Sequence, residues 1–433
     1  MQRRPRLAIT LGDPCGIGPE LFVQSLVAIN RWADVIVVGA KAGIDILPQA
    51  GLRAGIHWRW GSPPTSPPPL PASTRTYGFW TSTTPSFSAS EVNLLGHALW
   101  VDATPEITAE VIIPGEGCAA GGKAAVEAVR VGAKLVMGGH ADALVTLPLS
   151  KAAAHAAGYP IPGHTEFLQE LSGTPITRMA FVSPSLCVVL HTVHQSLRSV
   201  VDDLNTDSVA ETLSFAADRF IQLTGKMDLR VGLCALNPHA GEGGAFGDDE
   251  LMLSDAVTQA EASFLNFDGQ AGAGPFSEVP SPFPLGPIPD GWSIFPARHA
   301  GMPLLGGQQG VEVVHRGHGP DPVLQRPAPR FFGPLPADSI FHRAAKGEFD
   351  LVVALYHDQG LIPVKLLEPS RAVNLTLGLP FIRTSPDHGT AFEIAGQWKA
   401  DPTNFLEATA LAVRLAGRAK LQPWKAEVGG GPR

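Results

Sequence analysis

Short apolar runs that stop at polar or glycine-containing turns, separated by amphipathic stretches, recur along most of this chain. That alternation constrains the fold more than any other feature. "RLAITLG" reads as a buried strand leading into "PELFVQSLVAIN", a helix with Pro19 in its first turn. "DVIVVGA", "DALVTLPLS", "RMAFVS", "LCVVLHTV", "RVGLCAL", "DLVVALYHD", "LIPVKLL" and "AVNLTLG" read as further strands. "GGKAAVEAVRVGAKLVM", "TDSVAETLSFAADRFIQLTG" and "NFLEATALAVRLAG" have helical spacing. Strands alternating with helices predict an α/β architecture around a largely parallel sheet. At 433 residues the chain exceeds one ordinary core, so two domains are expected.

Two stretches interrupt the alternation. "GSPPTSPPPLPASTRT" is a Pro/Ser-rich loop. Residues 264–330 carry twelve prolines and little periodicity, which reads as a lid or an insertion peripheral to the chemistry.

Composition narrows the partners. A formal net charge of −8 gives no basic footprint for nucleic acid, although a few local cations suffice for a small anion. The four cysteines, Cys15, Cys118, Cys187 and Cys234, form no CxxC pair, which argues against a disulfide framework and suits a reducing cytoplasm. The basic head "MQRRPR" is followed by an apolar run broken at Gly12-Asp13-Pro14, so a signal peptide is not expected. No run approaches the roughly 20 apolar residues of a membrane helix.

In open α/β sheets, ligands bind beyond the C-terminal ends of strands. His194 follows "LCVVLHTV", His239 follows "VGLCAL" and His357 follows "LVVALY", so three imidazoles share that placement. Such a set suits zinc or another divalent metal. His239 stands in "ALNPHAGEGGAFGDDE", where Pro238 restricts the entry and Gly241, Gly243 and Gly244 permit unusual backbone angles. His191 reads as structural or supporting. Lys365, Asn374 and Arg383 supply an ammonium, an amide and a guanidinium, a credible phosphate or carboxylate receptor. His164 and Thr165, in "PIPGHTEFLQE", fall at a helix start, where Thr165 could equally be an N-cap. "GDPCGIGPE" follows a strand and opens a helix but lacks the third glycine of a dinucleotide fingerprint, so it assigns no cofactor contact.

Taken together, "GDPCGIGPE", "GHTEF", "LNPHAGEGG", "YHDQGLIPVK" and "VNLTLGLPFIRTSPDHGTAFEIAG" resemble the 4-hydroxythreonine-4-phosphate dehydrogenase (PdxA) family of vitamin B6 biosynthesis. The resemblance runs from the first strand to near residue 415, excepting residues 55–115 and the proline-rich stretch. It implies a two-domain α/β/α fold of the isocitrate/isopropylmalate dehydrogenase type, divided as residues 1–155 with 375–425, and residues 156–374. It also implies a cytoplasmic homodimer with its active site at the subunit interface.

In the family three histidines bind one divalent metal (zinc, magnesium or cobalt), one of them from the neighbouring subunit. They fall here on His194, His239 and His357. Substrate positions fall on His164, Thr165, Lys365, Asn374 and Arg383. The implied reaction is oxidation of 4-phosphohydroxy-L-threonine by NAD or NADP, followed by decarboxylation to 3-amino-2-oxopropyl phosphate. Lys151 and Asp358 are candidates for the general base by position. Dehydrogenases of erythronate or threonate 4-phosphate share nearly all these motifs, and a metal-dependent phosphate-ester hydrolase could use the same side chains. Two departures stand out: Cys15 replaces a usual alanine, and "LEPSRAVN" replaces a more glycine-rich segment.

Overall fold

The computed structural model describes residues 4–47, 56–61, 96–265 and 328–416. The Pro/Ser-rich loop after Gly61 and residues 266–327 of the proline-rich stretch lie outside them. The described strands are β1 (Arg6–Thr10), β2 (Asp34–Gly39), β3 (Ile56–Gly61), β4 (Gly96–Asp102), β5 (Ala143–Thr146), β6 (Arg178–Val182), β7 (Cys187–Leu190), β8 (Arg230–Cys234), β9 (Arg330–Leu335), β10 (Leu351–Ala354), β11 (Val373–Leu377) and β12 (Ile382–Pro386). The helices are α1 (Gly18–Ile29), α2 (Ala42–Asp45), α3 (Ala119–Met137), α4 (Lys151–Ala156), α5 (His164–Ser172), α6 (Leu197–Asp203), α7 (Thr206–Thr224), α8 (Asp249–Leu265), α9 (Ala337–Ala345), α10 (His357–Leu367) and α11 (Thr403–Ala416).

All twelve strands join one sheet in the order β3-β4-β2-β1-β5-β12-β11-β6-β7-β10-β8-β9. The apolar runs read as strands are buried, as strands covered on both faces require. One large cluster packs Leu21, Phe22, Trp100, Phe215, Phe220 and Phe405 against the sheet. A second, built on Leu144, Val126, Val129 and Phe167, also packs on it.

The sheet is largely parallel, as the alternation predicts, but three of its pairings are antiparallel. β6 pairs antiparallel with both β11 and β7, and β11 pairs antiparallel with β12. The cause is connection length: tight turns join β6 to β7 and β11 to β12, and only a long crossover returns a strand in parallel. In the first turn Ser183 N–H donates to Leu186 O. In the second, Gly378 takes φ +98°, where a Cβ would lie 2.3 Å from Ile176 O.

"LIPVKLL" is not a strand. It is the body of α10, with Leu361 and Val364 buried one turn apart and Ile362 and Leu366 exposed. Pro363 sits inside this helix, and an internal proline is what makes the segment read otherwise. The proline-rich stretch is also narrower than its composition suggests. Phe264 closes α8 by packing on Phe331 at 5.7 Å between ring centroids, and Arg330 already belongs to β9.

Candidate active site

Adjacent parallel strands place their ends together. β7, β10 and β8 are neighbours with Val188 level with Val352, and Val352 level with Gly232. Their following loops, carrying His194, His357 and His239, therefore share one edge of the sheet. The rings of His194 and His357 lie 6.1 Å apart between centroids. Nδ1 of His357 is 2.7 Å from Asp358 Oδ1, and Nδ1 of His194 is 3.7 Å from Glu166 Oε1. An Nδ1 turned to a carboxylate leaves Nε2 available as a ligand. The donor set thus fits a divalent metal of intermediate softness.

His239 is exposed and lies against Phe246, 6.1 Å between centroids. Among the described residues, no three His, Cys, Asp or Glu side chains of one chain come close enough together to hold a metal. His194 and His357 are brought together; His239 does not complete a cluster with them.

The loop bearing His239 is strained. His239, Ala240 and Glu242 all take positive φ (53°, 53° and 43°), a region L-residues avoid. Glu250, buried at the start of α8, holds the loop in place: Oε1 accepts from Leu236 N at 3.1 Å and Asn237 N at 2.8 Å. Asn237 Nδ2 also donates to Asp249 Oδ2 at 2.8 Å. His191, directly after β7, is engaged elsewhere. Its Nδ1 meets Thr212 Oγ1 at 2.8 Å, and burial, aided by Arg178, lowers its pKa to about 4.

A second cluster is cationic. Arg383, on β12, is 2% exposed. Its Nε and Nη2 donate to Thr146 Oγ1 at 3.1 and 2.7 Å, and its Nη1 to Thr376 Oγ1 at 3.0 Å. Both acceptors are neutral, and no carboxylate among the described residues forms an ion pair with it. Burial pulls its pKa to about 9, opposed by Glu166. Asn374, paired with Ser385 across the antiparallel register, shares the face of Arg383 and has a buried Oδ1 without a partner. Nε2 of His164 is likewise buried and unpartnered. Burial, together with Arg383 and Lys151, holds that imidazole neutral, well below its usual pKa. A buried ring nitrogen without a partner beside a buried cation suits an anion, while the Asn374 oxygen, an acceptor, calls for a donor from the ligand.

Thr165 is buried in the first turn of α5, but the cap position belongs to Gly163, so Thr165 is not the N-cap. Lys151 opens α4, which Ser150 caps by accepting from Ala153 N at 3.2 Å. A Cβ on Gly163 would stand 2.9 Å from Glu166 Oε2 and 3.9 Å from Lys151 Nζ, so Lys151 and Glu166 face one another across that glycine. Lys365 reaches Asp387 Oδ2 at 3.1 Å. The helix explains this reach: α10 doubles back along β10, carrying Lys365 about 12 Å from the histidine edge. Burial raises the Asp387 pKa, while Lys365, His357 and His388 oppose that rise.

Glu166, Asp387 and Glu250 are the participants not singled out in sequence. The first two lie inside "GHTEF" and "SPDHG", where their charge was visible and their partners were not. "GDPCGIGPE" is a packing turn: Ile17 N donates to Thr390 O at 3.0 Å, and a Cβ on Gly16 would meet that same oxygen at 2.8 Å.

Comparison with known proteins places the chain in a family. The family model described as "Pyridoxal phosphate biosynthetic protein PdxA" matches residues 81–277 and 322–412. A D-threonate 4-phosphate dehydrogenase of Salmonella typhimurium is 32% identical over 412 residues, covering 95% of this chain and 98% of that protein. A 4-hydroxythreonine-4-phosphate dehydrogenase of Bradyrhizobium diazoefficiens is 33% identical over 424 residues, covering 95% and 96%. The crystal structure of 4-hydroxythreonine-4-phosphate dehydrogenase from Klebsiella pneumoniae superposes with a TM-score of 0.67 at 30% identity, covering 96% of this chain and 99% of that one. Family match, full-length likeness and shared fold agree: this chain belongs to the PdxA family of dehydrogenases.

Proposed function

We propose that this enzyme oxidises 4-phosphohydroxy-L-threonine, with NAD or NADP as hydride acceptor and one divalent cation (zinc, magnesium or cobalt) per site. The observation that carries the reading is Arg383, buried with neutral partners only, beside the orphaned atoms of His164 and Asn374. A phosphate ester suits the guanidinium, which offers a planar fork, and an N–H on His164 Nε2, since phosphate accepts at several oxygens; Asn374 Oδ1, itself an acceptor, would take a hydroxyl or ammonium donor of the substrate. Lys365 adds a point charge, oriented by Asp387. His164 and Thr165 hold the remainder of the substrate.

His194, His239 and His357 would hold the metal, one of the three supplied by a second copy of the chain. A bound divalent cation supplies Lewis acidity that lowers the pKa of the substrate's secondary hydroxyl. Of the two base candidates, Lys151 is favoured, because the Asp358 carboxylate is committed to His357 Nδ1. A bound nicotinamide cofactor would supply the hydride acceptor, while Lys151 would take the hydroxyl proton. The product, 2-amino-3-oxo-4-phosphooxybutanoate, is a β-keto acid and loses carbon dioxide to give 3-amino-2-oxopropyl phosphate.

The homodimer reading rests on α10, whose Ile362, Leu366 and Leu367 are 66%, 80% and 46% exposed on a helix beside the metal edge. The lobes are assigned as residues 1–155 with 375–425, and residues 156–374. No helix among the described residues is long and apolar enough to cross a membrane, and a cytoplasmic location is proposed.

A second reading, oxidation of D-threonate 4-phosphate, is favoured by the equal likeness to relatives of that name. Both substrates share the phosphate and differ at carbon 2. The deciding experiment supplies 4-phosphohydroxy-L-threonine, D-threonate 4-phosphate and erythronate 4-phosphate with nicotinamide and metal, following reduced nicotinamide. Turnover of a sugar-acid phosphate alone selects that reading. Phosphate release without nicotinamide reduction selects a hydrolase and overturns both.

A further inference from the structure

Two of the four cysteines meet at the N-terminal end of α3. Cys15 Sγ and Cys118 Sγ are 3.8 Å apart. Cys187 and Cys234 are enclosed in β7 and β8, 1% and 0% exposed. A disulfide needs about 2.05 Å between sulfurs, so closing the pair takes an approach of less than about 2 Å. The backbones are already tied, since Gly115 N donates to Cys15 O at 2.8 Å.

Cys15 is the fixed partner. Its N–H donates to Asp13 Oδ1 at 3.0 Å, and a Cβ on Gly121 would meet its sulfur at 3.1 Å. Cys118 is the adjustable one. It is half-buried at the N-cap of α3, with extended backbone (φ −136°, ψ 164°) and Sγ between Gly121 N at 3.4 Å and Val111 O at 3.6 Å. A rotation about its Cα–Cβ bond exchanges those weak contacts for the second sulfur.

We propose that Cys15 and Cys118 are a reversible oxidation site, closing into an intrachain disulfide on exposure to a peroxide. Cys118 reacts first, because it is the more accessible of the two sulfurs. Burial, Asp13 and the neighbouring sulfur all push the Cys15 thiol up, so Cys15 is not the first to react and is engaged only by the sulfenic sulfur placed beside it. The Cys118 sulfur attacks the peroxide oxygen, the O–O bond breaks, and an alcohol (or water) leaves as the sulfenic acid forms. Cys15 sulfur then attacks the sulfenic sulfur, the S–O bond breaks, and water leaves with the thiol proton. Two thiols and one peroxide become one disulfide, one alcohol and one water.

The pair sits against the catalytic body of the protein. The same turn that carries Cys15 donates to Thr390 O, three residues beyond Asp387. Oxidation therefore marks a segment continuous with the partner of Lys365.

The test treats the native full-length protein with hydrogen peroxide, quenches it, unfolds it, alkylates the free thiols and weighs the product. Two of the four thiols should disappear together, a peptide pair should link Cys15 to Cys118, and dithiothreitol should restore both. Cys118→Ser should fold normally, since serine is a preferred N-cap, and should lose no thiol pair. Cys15→Ala should instead add oxygen at Cys118. Four intact thiols, oxygen addition without a cross-link in the unmutated protein, or linkage through Cys187, Cys234 or a second chain would each overturn the proposal.

Discussion

His194 and His357, far apart in sequence, present their imidazoles 6.1 Å apart, each with Nδ1 turned towards a carboxylate, Glu166 and Asp358 respectively. Two ligands so placed hold a metal loosely, and a third imidazole is needed for a stable site. His239→Ala should weaken metal binding by at least about 100-fold, beyond what loss of a supporting residue costs, while leaving the fold intact. Metal content after dialysis reads this directly. Full-rate oxidation by chelator-treated protein, with no metal returned, would refute the assignment.

Arg383→Lys keeps the charge and loses the planar fork. Hydrogen bonds to charged partners contribute about 1.5–3 kcal/mol, so kcat/KM for the phosphorylated substrate should fall roughly 10- to 150-fold. Unphosphorylated 4-hydroxythreonine should be a poor substrate for both proteins. Equal turnover of the two substrates by the unmutated enzyme would remove the phosphate receptor from Lys365, Asn374 and Arg383.

Acid should destabilise the fold through His191. Its folded pKa of about 4 lies below the ordinary value of 6.5 because it is buried, so between those values the unfolded chain binds the extra proton. Its stabilisation is complete above pH 6.5, is lost as pH falls towards 4, and changes no further below that. About 2.5 units correspond to about 3 kcal/mol. His191→Gln keeps a partner for Thr212 and cannot titrate. Denaturant midpoints at pH 7 and pH 4.5 should differ less for the variant, and an unchanged difference would contradict the linkage.

The exposed apolar face of α10 should be a subunit contact. Leu366→Glu places a charge at a site 80% exposed in the single chain, so it costs the monomer fold little. Light scattering should show the unmutated protein as a dimer and the variant shifted towards monomer, with activity falling in parallel. A variant that remains fully dimeric moves the interface elsewhere.

Residues 278–321 lie between the two matched segments of the family model. Replacing them with a short Gly/Ser linker should leave a folded, active enzyme, since loop closure costs change slowly with length. Extending the cut to Phe264 removes its packing on Phe331 and should lower the melting temperature. Loss of folding in the shorter deletion would show that the insertion belongs to the core.

Strands such as "LCVVL" and "LVVAL" were legible because burial on both faces demands unbroken apolar runs, and helices such as α7 because their spacing repeats. The histidines, Lys365, Asn374 and Arg383 were legible by chemical type and by their place near the ends of such runs. α10 was not, because Pro363 obscures a helix that packing of Leu361 and Val364 sustains.

The sequence alone determined the α/β class, the family and the identity of the polar side chains, since local periodicity and motif order survive without a third dimension. Only the tertiary structure decided that β6 and β11 run against their neighbours, that Glu250 anchors the His239 loop, and that Arg383 meets Thr146 and Thr376 rather than a carboxylate. Those are long-range pairings. Their energies depend on burial and distance between residues that no local pattern connects.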